Sequence, residues 1–184
     1  MSIDQKALET LIAKDEIRDL VLLYSRGCDR KDFALVRTLY TSDATDSHDE
    51  TFDGPAKDYV DFLARSLPHA PYSGHHICNH LISVDVDRGE AEGEVYAVAW
   101  HVIPDRKGGW IEDFMCCRYV DRYRKEEDGR WRFAKRVVTY DMRTAQAYTP
   151  RRDAANPLAD PSYTTLSSRL FARGPRHDRR SDAQ

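Results

Sequence analysis

The first third of the chain spaces its apolar residues as amphipathic helices do. Between residues 4 and 28 they recur every three or four positions with charged residues between them, which predicts one long helix or two in tandem. After Gly27 the chain is expected to turn, and Asp32 is placed to cap a second helix. Gly54 and Pro55 then open a third helix.

Beyond Gly74 the spacing changes to a period of two, which is typical of strands. The segments 75–87, 90–103, 110–124 and 130–144 are predicted strands, and the turns between them carry the Gly, Pro and Asp residues of hairpin connections. One further short strand, over residues 43–48, is possible within the polar stretch that precedes the third helix.

Helices followed by an antiparallel meander predict an α+β fold. In this fold the three N-terminal helices cover one face of a curved antiparallel sheet. The sheet then forms a cone-shaped barrel, whose interior is a natural hydrophobic pocket for a small molecule.

The last part of the chain differs in composition from the rest. Four prolines and an arginine-rich end follow residue 149, so we expect one domain over residues 1–149 and an irregular to disordered tail over 150–184. Leu166, Leu170 and Phe171 form a weak helical stripe in this tail. Such a stripe suits docking on the domain or covering the mouth of a pocket.

Charge and hydropathy exclude several classes of protein. The 28 basic and 31 acidic side chains give a formal net charge of −3, so no basic field favours a nucleic-acid partner. No apolar run approaches the roughly 18 residues of a membrane span. The first residues lack a secretory signal, and the four cysteines lack the spacing of a disulfide framework, so we expect reduced thiols in the cytoplasm.

The histidine cluster of the first long strand does not have the spacing of a metal site. His76 and His80 share a strand face but lie about 13 Å apart, too far for one ion. The acidic stretch 46–50 reads as a solvated loop that binds a cation loosely at best. Because nucleotide-binding and nucleophile-elbow motifs are missing as well, the sequence predicts neither a metal site nor a cofactor.

Acid–base catalysis is the chemistry that remains. The alternation of side chains along two strands places two histidines where they can take part in it. His75, Ile77, Asn79 and Leu81 are expected to share one face, and His101 belongs to a row of small apolar residues on the next strand. If both faces line the cone, two imidazoles project into a dry pocket. The structural alternative is that they only form hydrogen bonds within the core.

The end of the first helix supplies two possible partners for these histidines. Tyr24 and Asp29 lie about 140° apart on an ideal helix, so they cannot share a narrow face. They can flank one pocket only if the helix end points into the cone mouth, with Gly27 loosening the last turn.

Three segments together resemble the SnoaL-like branch of the nuclear transport factor 2-like superfamily. They are the helix DEIRDLVLLYSRGCDRKDFALVRTLYTSDA, the strand GHHICNHLISVD and the hairpin YVDRYRKEEDGRWRFAKR. The resemblance implies the α+β cone. Within the branch the chain is similar to cofactor-free dehydratases and dehydrohalogenases, such as scytalone dehydratase, bile acid 7α-dehydratase and hexachlorocyclohexane dehydrochlorinase, which share an Asp–His dyad.

The resemblance also implies the site residues. The family aspartate in the pattern Y-x4-D-x2-D falls on Asp29, with Tyr24 as the tyrosine. The family histidine falls on His75, and a second pocket histidine is expected near His101. Two substrate-binding positions complete the implied site: Asn79, on the strand of the family histidine, and Arg136, at the end of the pattern W-x-[FI]-x2-R.

A lyase is the function that these residues imply. His75 is the expected general base, Asp29 fixes its tautomer, and Tyr24 donates a hydrogen bond to a substrate carbonyl. His101 assists the leaving group, and Arg136 either orients the substrate or pairs with a carboxylate in the core.

Other functions stay open at this stage. The same pocket suits an isomerase, and the branch includes non-catalytic binding proteins and the structural small subunits of dioxygenases. Exposed strand faces with Tyr96, Trp100 and Trp110 suit a homo-oligomer, a trimer or a dimer as in related enzymes.

Overall fold

The computed structural model describes residues 4–149 and 155–176. Its helices are α1 (Gln5–Asp29), α2 (Phe33–Arg37), α3 (Ala56–Ser66) and α4 (Ser162–Thr165), with 3-10 turns at Leu67–His69, Pro157–Ala159 and Arg169–Phe171. Its strands are β1 (Tyr40–His48), β2 (Phe52–Pro55), β3 (Tyr72–Asp85), β4 (Glu90–Pro104), β5 (Trp110–Lys125) and β6 (Trp131–Tyr148). No described helix is long and apolar enough to cross a membrane.

The first helix is one continuous element and does not loosen at Gly27. A side chain at Gly27 would place its Cβ 2.5 Å from Cγ2 of Val36, so the glycine is needed for the close approach of α2. Asp32 caps α2 by accepting a hydrogen bond from the backbone N–H of Leu35 at 3.2 Å. The tight turn between the two helices fixes where α1 ends, at Asp29.

The sheet has six strands in the order β2-β1-β6-β5-β4-β3. Strands β3 to β6 form the predicted antiparallel meander, and the helices pack on one face, which confirms the α+β cone. Strand β1 adds to β6 in parallel and pairs with β2 in antiparallel orientation. The sheet therefore remains open, with β2 and β3 as its edges.

Strand β3 contains a β-bulge that the alternation pattern does not predict. Ile77 pairs with Ala97, but the next pair is His80 with Val95. Three steps along β3 thus correspond to two along β4, so β3 carries one extra residue.

The extra residue reverses the faces of all later positions in β3. Leu81 is 75% exposed and Asn79 is exposed, whereas Ile82 is buried. The prediction that Asn79 and Leu81 share the face of His75 is therefore wrong.

Residues 155–176 are irregular but anchored to the domain. The guanidinium of Arg26 donates to the carbonyl oxygen of Phe171 at 2.8 Å, and the N–H of Gly174 donates to Oδ2 of Asp32 at 2.8 Å. Of the predicted stripe, Leu170 packs against the core. The tail is irregular here, as predicted, but the expected disorder is not found in this part. The rest of the predicted tail, residues 150–154 and 177–184, lies outside the described residues.

Candidate functional site

Asp29 and His75 meet where α1 ends and β3 begins. Nδ1 of His75 lies 2.6 Å from Oδ1 of Asp29. The backbone N–H of His75 donates to Oδ2 of the same carboxylate at 3.1 Å, and the hydroxyl of Ser73 donates to Oδ1 at 3.4 Å. The structure thus brings these two predicted residues together. The side chain of His75 is 9% exposed and that of Asp29 is 18% exposed.

The position of Asp29 has an electrostatic cost that these hydrogen bonds offset. A carboxylate at a helix C-terminus faces the negative end of the helix dipole. Hydrogen bonds from the strand to both carboxylate oxygens hold the carboxylate in place. The start of β3 therefore orients the carboxylate as well as the imidazole.

The contact with Asp29 also sets the tautomer of the His75 ring. A carboxylate beside Nδ1 holds the proton on that nitrogen, which leaves Nε2 with a free lone pair when the ring is neutral. Within residues 4–149 and 155–176, Nε2 has no hydrogen-bond partner. The ring is thus arranged to accept a proton at Nε2.

His101 is the second imidazole next to His75. The ring centroids lie 5.2 Å apart, and Nε2 of His101 is shielded from solvent and has no hydrogen-bond partner among the described residues. Burial, followed by the neighbouring His75, lowers the pKa of His101 to about 3. His101 is therefore a neutral ring with an unused nitrogen.

Tyr24 approaches the same imidazole from α1. The centroids of the Tyr24 and His75 rings lie 6.3 Å apart, although Tyr24 and Asp29 are on different sides of the helix. Burial raises the pKa of Tyr24 well above its ordinary value, so the phenol keeps its proton. Its hydroxyl already has a partner, the hydroxyl of Tyr59 at 3.1 Å.

Arg136 lies in the core and pairs with a carboxylate, the second of its two predicted roles. Its guanidinium donates to both oxygens of Asp121 at 2.8 and 2.7 Å, and neither side chain is exposed. Burial opposes the positive charge, but the Asp121 carboxylate outweighs it and raises the pKa of Arg136 well above its ordinary value.

The guanidinium of Arg136 also lies over the rings of Tyr24 and Phe133, with Cζ 4.3 and 4.1 Å from their centroids. In the part of the chain that the structure describes, its Nη1 has no hydrogen-bond partner. The ion pair of Arg136 with Asp121 thus lies directly behind the Tyr24 ring.

The remaining predicted residue, Asn79, does not join the site because the bulge turns it outward. His80 takes the inward position, and its Nε2 lies 3.1 Å from the hydroxyl of Tyr123. Burial lowers the pKa of His80 to about 4.

Sequence reasoning missed a second buried cluster. The stretch 46–50 was expected to be a solvated loop, although a strand over 43–48 was left possible. Asp46 and His48 belong to β1, where Asp46 is fully buried. The signal was their spacing of two residues, which gives both side chains the same strand face. Tyr59 of α3 completes this cluster.

A cavity of about 380 Å³ opens beside Asp29. It is bounded by the end of α1, the start of β3 and the anchored segment near Asn156 and Asp160. Asp29 lines this cavity, whereas His75, Tyr24 and His101 are not among its lining residues. No group of three His, Cys, Asp or Glu side chains that could hold a metal ion occurs within the described part of the chain.

Residues 9–137 match the family model of the SnoaL-like domain. No curated protein sequence matches the chain. The chain is similar in fold to solved structures of other proteins.

A protein provisionally named scytalone dehydratase, from Novosphingobium aromaticivorans, is 22% identical over 83% of this chain and 97% of its own, with a TM-score of 0.66. A hexachlorocyclohexane dehydrochlorinase from Novosphingobium barchaimii is 17% identical over 78% and 99%, with a TM-score of 0.63. The Kfla4162 protein from Kribbella flavida is 21% identical over 72% and 93%, with a TM-score of 0.63. At these identities the likeness establishes the fold alone.

Proposed function

We propose, from the premise that this chain belongs to the SnoaL-like domain family of the nuclear transport factor 2-like superfamily, that it is a cofactor-independent lyase. It removes water, or a comparable leaving group, from a hydrophobic cyclic small molecule. The observation that carries this function is the 2.6 Å contact between Asp29 and His75, which leaves Nε2 of the imidazole free.

The reaction starts at the free nitrogen of His75. Nε2 takes a proton from a C–H that an adjacent carbonyl makes acidic, and the electron pair of that bond moves towards the carbonyl oxygen. The pair then forms the carbon–carbon double bond as the bond to the leaving hydroxyl breaks. The proton on Nε2 goes to the departing hydroxyl, so water leaves and the imidazole is neutral again.

Asp29 supports this proton transfer in two ways. Its carboxylate holds the proton on Nδ1, which keeps Nε2 available as the base. Its negative charge also stabilises the imidazolium that forms when Nε2 is protonated. The hydrogen bonds from Ser73 and from the backbone of His75 keep the carboxylate oriented during both steps.

Tyr24 and His101 act on the two oxygen atoms of the substrate. The hydroxyl of Tyr24 donates to the carbonyl oxygen as negative charge develops there, a role worth roughly 3 kcal/mol for a well-placed donor. The unused nitrogen of His101 holds the departing hydroxyl. Arg136, whose charge is paired with that of Asp121, packs behind the Tyr24 ring.

The named relatives support the reaction class. A dehydratase and a dehydrochlorinase of the same fold carry names that denote the loss of water and of hydrogen chloride. Both reactions are eliminations, which need proton movement and a leaving group but no redox change.

The first prediction tests the dyad on a panel of hydroxylated cyclic ketones. His75→Ala and Asp29→Asn are expected to lower kcat/KM by about 10²- to 10⁴-fold, because they remove the base and the group that sets its tautomer. His69→Ala, which changes an exposed histidine outside the site, is the control and should keep the wild-type rate.

Product analysis separates elimination from isomerisation. Loss of 18 mass units identifies a dehydration, whereas an unchanged mass with a shifted double bond identifies an isomerase. Rates that His75→Ala and Asp29→Asn leave unchanged contradict the dyad.

A further inference from the structure

A second carboxylate–imidazole pair lies in β1, apart from Asp29 and His75. Nδ1 of His48 lies 2.5 Å from Oδ1 of Asp46. The Asp46 side chain is completely buried and that of His48 is 11% exposed. The hydroxyl of Tyr40 donates to the other oxygen of Asp46 at 2.7 Å. The carboxylate thus has a hydrogen-bond partner on each of its two oxygens.

Tyr59 links this second pair to the proposed active site. Its hydroxyl lies 2.8 Å from Nε2 of His48 and 3.1 Å from the hydroxyl of Tyr24. The rings of His48 and Tyr59 are stacked, with centroids 4.4 Å apart. A continuous row of hydrogen bonds therefore runs from Asp46 through His48 and Tyr59 to Tyr24.

Both tyrosines of the row keep their protons. Burial raises the pKa of Tyr24 and of Tyr59 well above the ordinary value. Each hydroxyl then has one hydrogen to donate, and each contact in the row contains one hydrogen. The direction of the whole row is therefore set at its histidine.

When His48 is neutral, each tyrosine of the row donates its hydrogen towards His48 and away from the substrate. The carboxylate of Asp46 holds the proton on Nδ1, so Nε2 accepts the hydrogen of Tyr59. Tyr59 must then accept the hydrogen of Tyr24. Tyr24 presents only lone pairs to a substrate in this state.

When His48 carries a second proton, the row reverses. Nε2 then donates to the oxygen of Tyr59, and Tyr59 donates to the oxygen of Tyr24. The hydrogen of Tyr24 becomes free to bind a substrate oxygen.

We infer that Asp46, His48 and Tyr59 are positioning residues that decide, by one proton on His48, whether Tyr24 donates a hydrogen bond to the substrate. This inference rests on the proposed function for its effect on rate. The hydrogen-bond row itself is a property of the free protein.

The groups around His48 define which charges act on it. Asp46 faces it from its own strand and Tyr59 faces it from α3. Strand β6 contributes Arg136, whose backbone pairs with that of Asp46 and whose charge is balanced by Asp121 of β5.

Tyr40 completes these surroundings, because its hydroxyl reaches Asp46 from the start of β1.

The second prediction concerns the pH profile of kcat/KM. Loss of the His48 proton should stop Tyr24 from donating to the substrate. The wild-type profile should therefore have an alkaline limb, along which kcat/KM falls by about tenfold per pH unit. Tyr59→Phe should remove this limb, because Tyr24 then donates at every pH. The rest of the profile should stay in place.

Tyr40→Phe is the matched control for this variant. It removes one buried hydroxyl that also contacts Asp46, but it leaves the row from His48 to Tyr24 complete. It should keep the alkaline limb. A purely structural role of Tyr59 would lower the rate at every pH and keep the limb, and that result overturns the inference.

NMR spectroscopy tests the row without any substrate. With ¹⁵N-labelled histidine and ¹³Cζ-labelled tyrosine, the Tyr24 signal should shift in step with the titration of His48 in the wild-type protein. In Tyr59→Phe, His48 should still titrate and the Tyr24 signal should no longer follow it. A Tyr24 signal that ignores His48 in the wild-type protein, or follows it equally in Tyr59→Phe, overturns the inference even if the lyase activity is present.

The two proposals fail in different ways. If the panel is not turned over but the Tyr24 signal follows His48, the lyase proposal fails and the row stands. If His75→Ala abolishes turnover and Tyr59→Phe keeps the alkaline limb, the lyase stands and the row fails.

Discussion

At the scale of single residues, the environment of His101 makes charging unfavourable. Burial and the nearby His75 lower its pKa to about 3, whereas a histidine in the unfolded chain titrates near 6.5. The unfolded state therefore binds one more proton than the native state between these two pH values. Stability gained from the neutral ring is complete above about pH 6.5 and is lost as the pH falls.

The third prediction follows from this difference in proton binding. Between pH 6.5 and 4, His101→Leu should lose less free energy of unfolding than the wild-type protein, by at most about 1.4 kcal/mol for each pH unit. Urea denaturation at pH 7, 5.5 and 4 measures the difference. His80, whose pKa is also lowered, titrates in both proteins and cancels. Equal pH slopes for the two proteins contradict the prediction.

The roles of some site residues can be predicted from a sequence pattern, and those of others cannot. The resemblance pointed to Asp29 and His75, and the fold brings them into contact. Their catalytic roles stay predictions. For Arg136 the sequence left two roles open, because no local pattern reveals that Asp121, fifteen positions earlier, lies opposite it.

At the scale of elements, the β-bulge decides which side chains of β3 enter the core. Alternation predicted an inward Leu81, and the structure makes it 75% exposed next to a buried Ile82. A single inserted residue leaves the composition of the strand unchanged. Its effect appears only in the pairing with β4.

Two substitutions at neighbouring positions provide the fourth prediction. Leu81→Thr should change the free energy of unfolding by no more than about 0.5 kcal/mol, because the side chain is largely in solvent. Ile82→Thr should cost about 2 kcal/mol, because it removes buried apolar surface and buries a hydroxyl. Urea denaturation measures both, and a larger loss for Leu81→Thr contradicts the bulge.

The place of β1 in the sheet was also not predictable from the periodicity of apolar residues. The possible strand before α3 was recognised, but its parallel pairing with β6 was not. Parallel pairing joins segments that are far apart in the chain, and neither segment carries a local mark of the other.

At the scale of the whole molecule, the anchored segment 155–176 joins the C-terminal part of the chain to both helices of the N-terminal turn. Its contacts include the ion pair of Arg30 with Asp160, at 3.3 Å, and the hydrogen bond from the N–H of Arg176 to Oγ1 of Thr38. These contacts fix the surface around Asp29.

The fifth prediction is the effect of ending the chain at residue 154. Loss of these hydrogen bonds and of the packing of Leu170 should lower the melting temperature by several degrees, because each kcal/mol corresponds to about 2–4 °C at this size. Leu158→Ala, which changes an exposed side chain of the same segment, is the control and should have little effect. Calorimetry measures both, and an unchanged melting temperature of the shortened chain contradicts a stabilising role.

Association of whole molecules stays a prediction. Tyr96 and Trp100, which suggested a homo-oligomer, are 44% and 37% exposed on the sheet.

The sequence by itself determined the three N-terminal helices, the four strands of the meander, the cap at Asp32, and the family to which the chain belongs. These properties depend on neighbours within a few residues, or on motifs that keep their spacing. Only the tertiary structure decided the bulge in β3, the parallel strand β1 and the row from Asp46 to Tyr24. Each of these depends on which distant segments pack together, and a local pattern of polar and apolar residues does not contain that information.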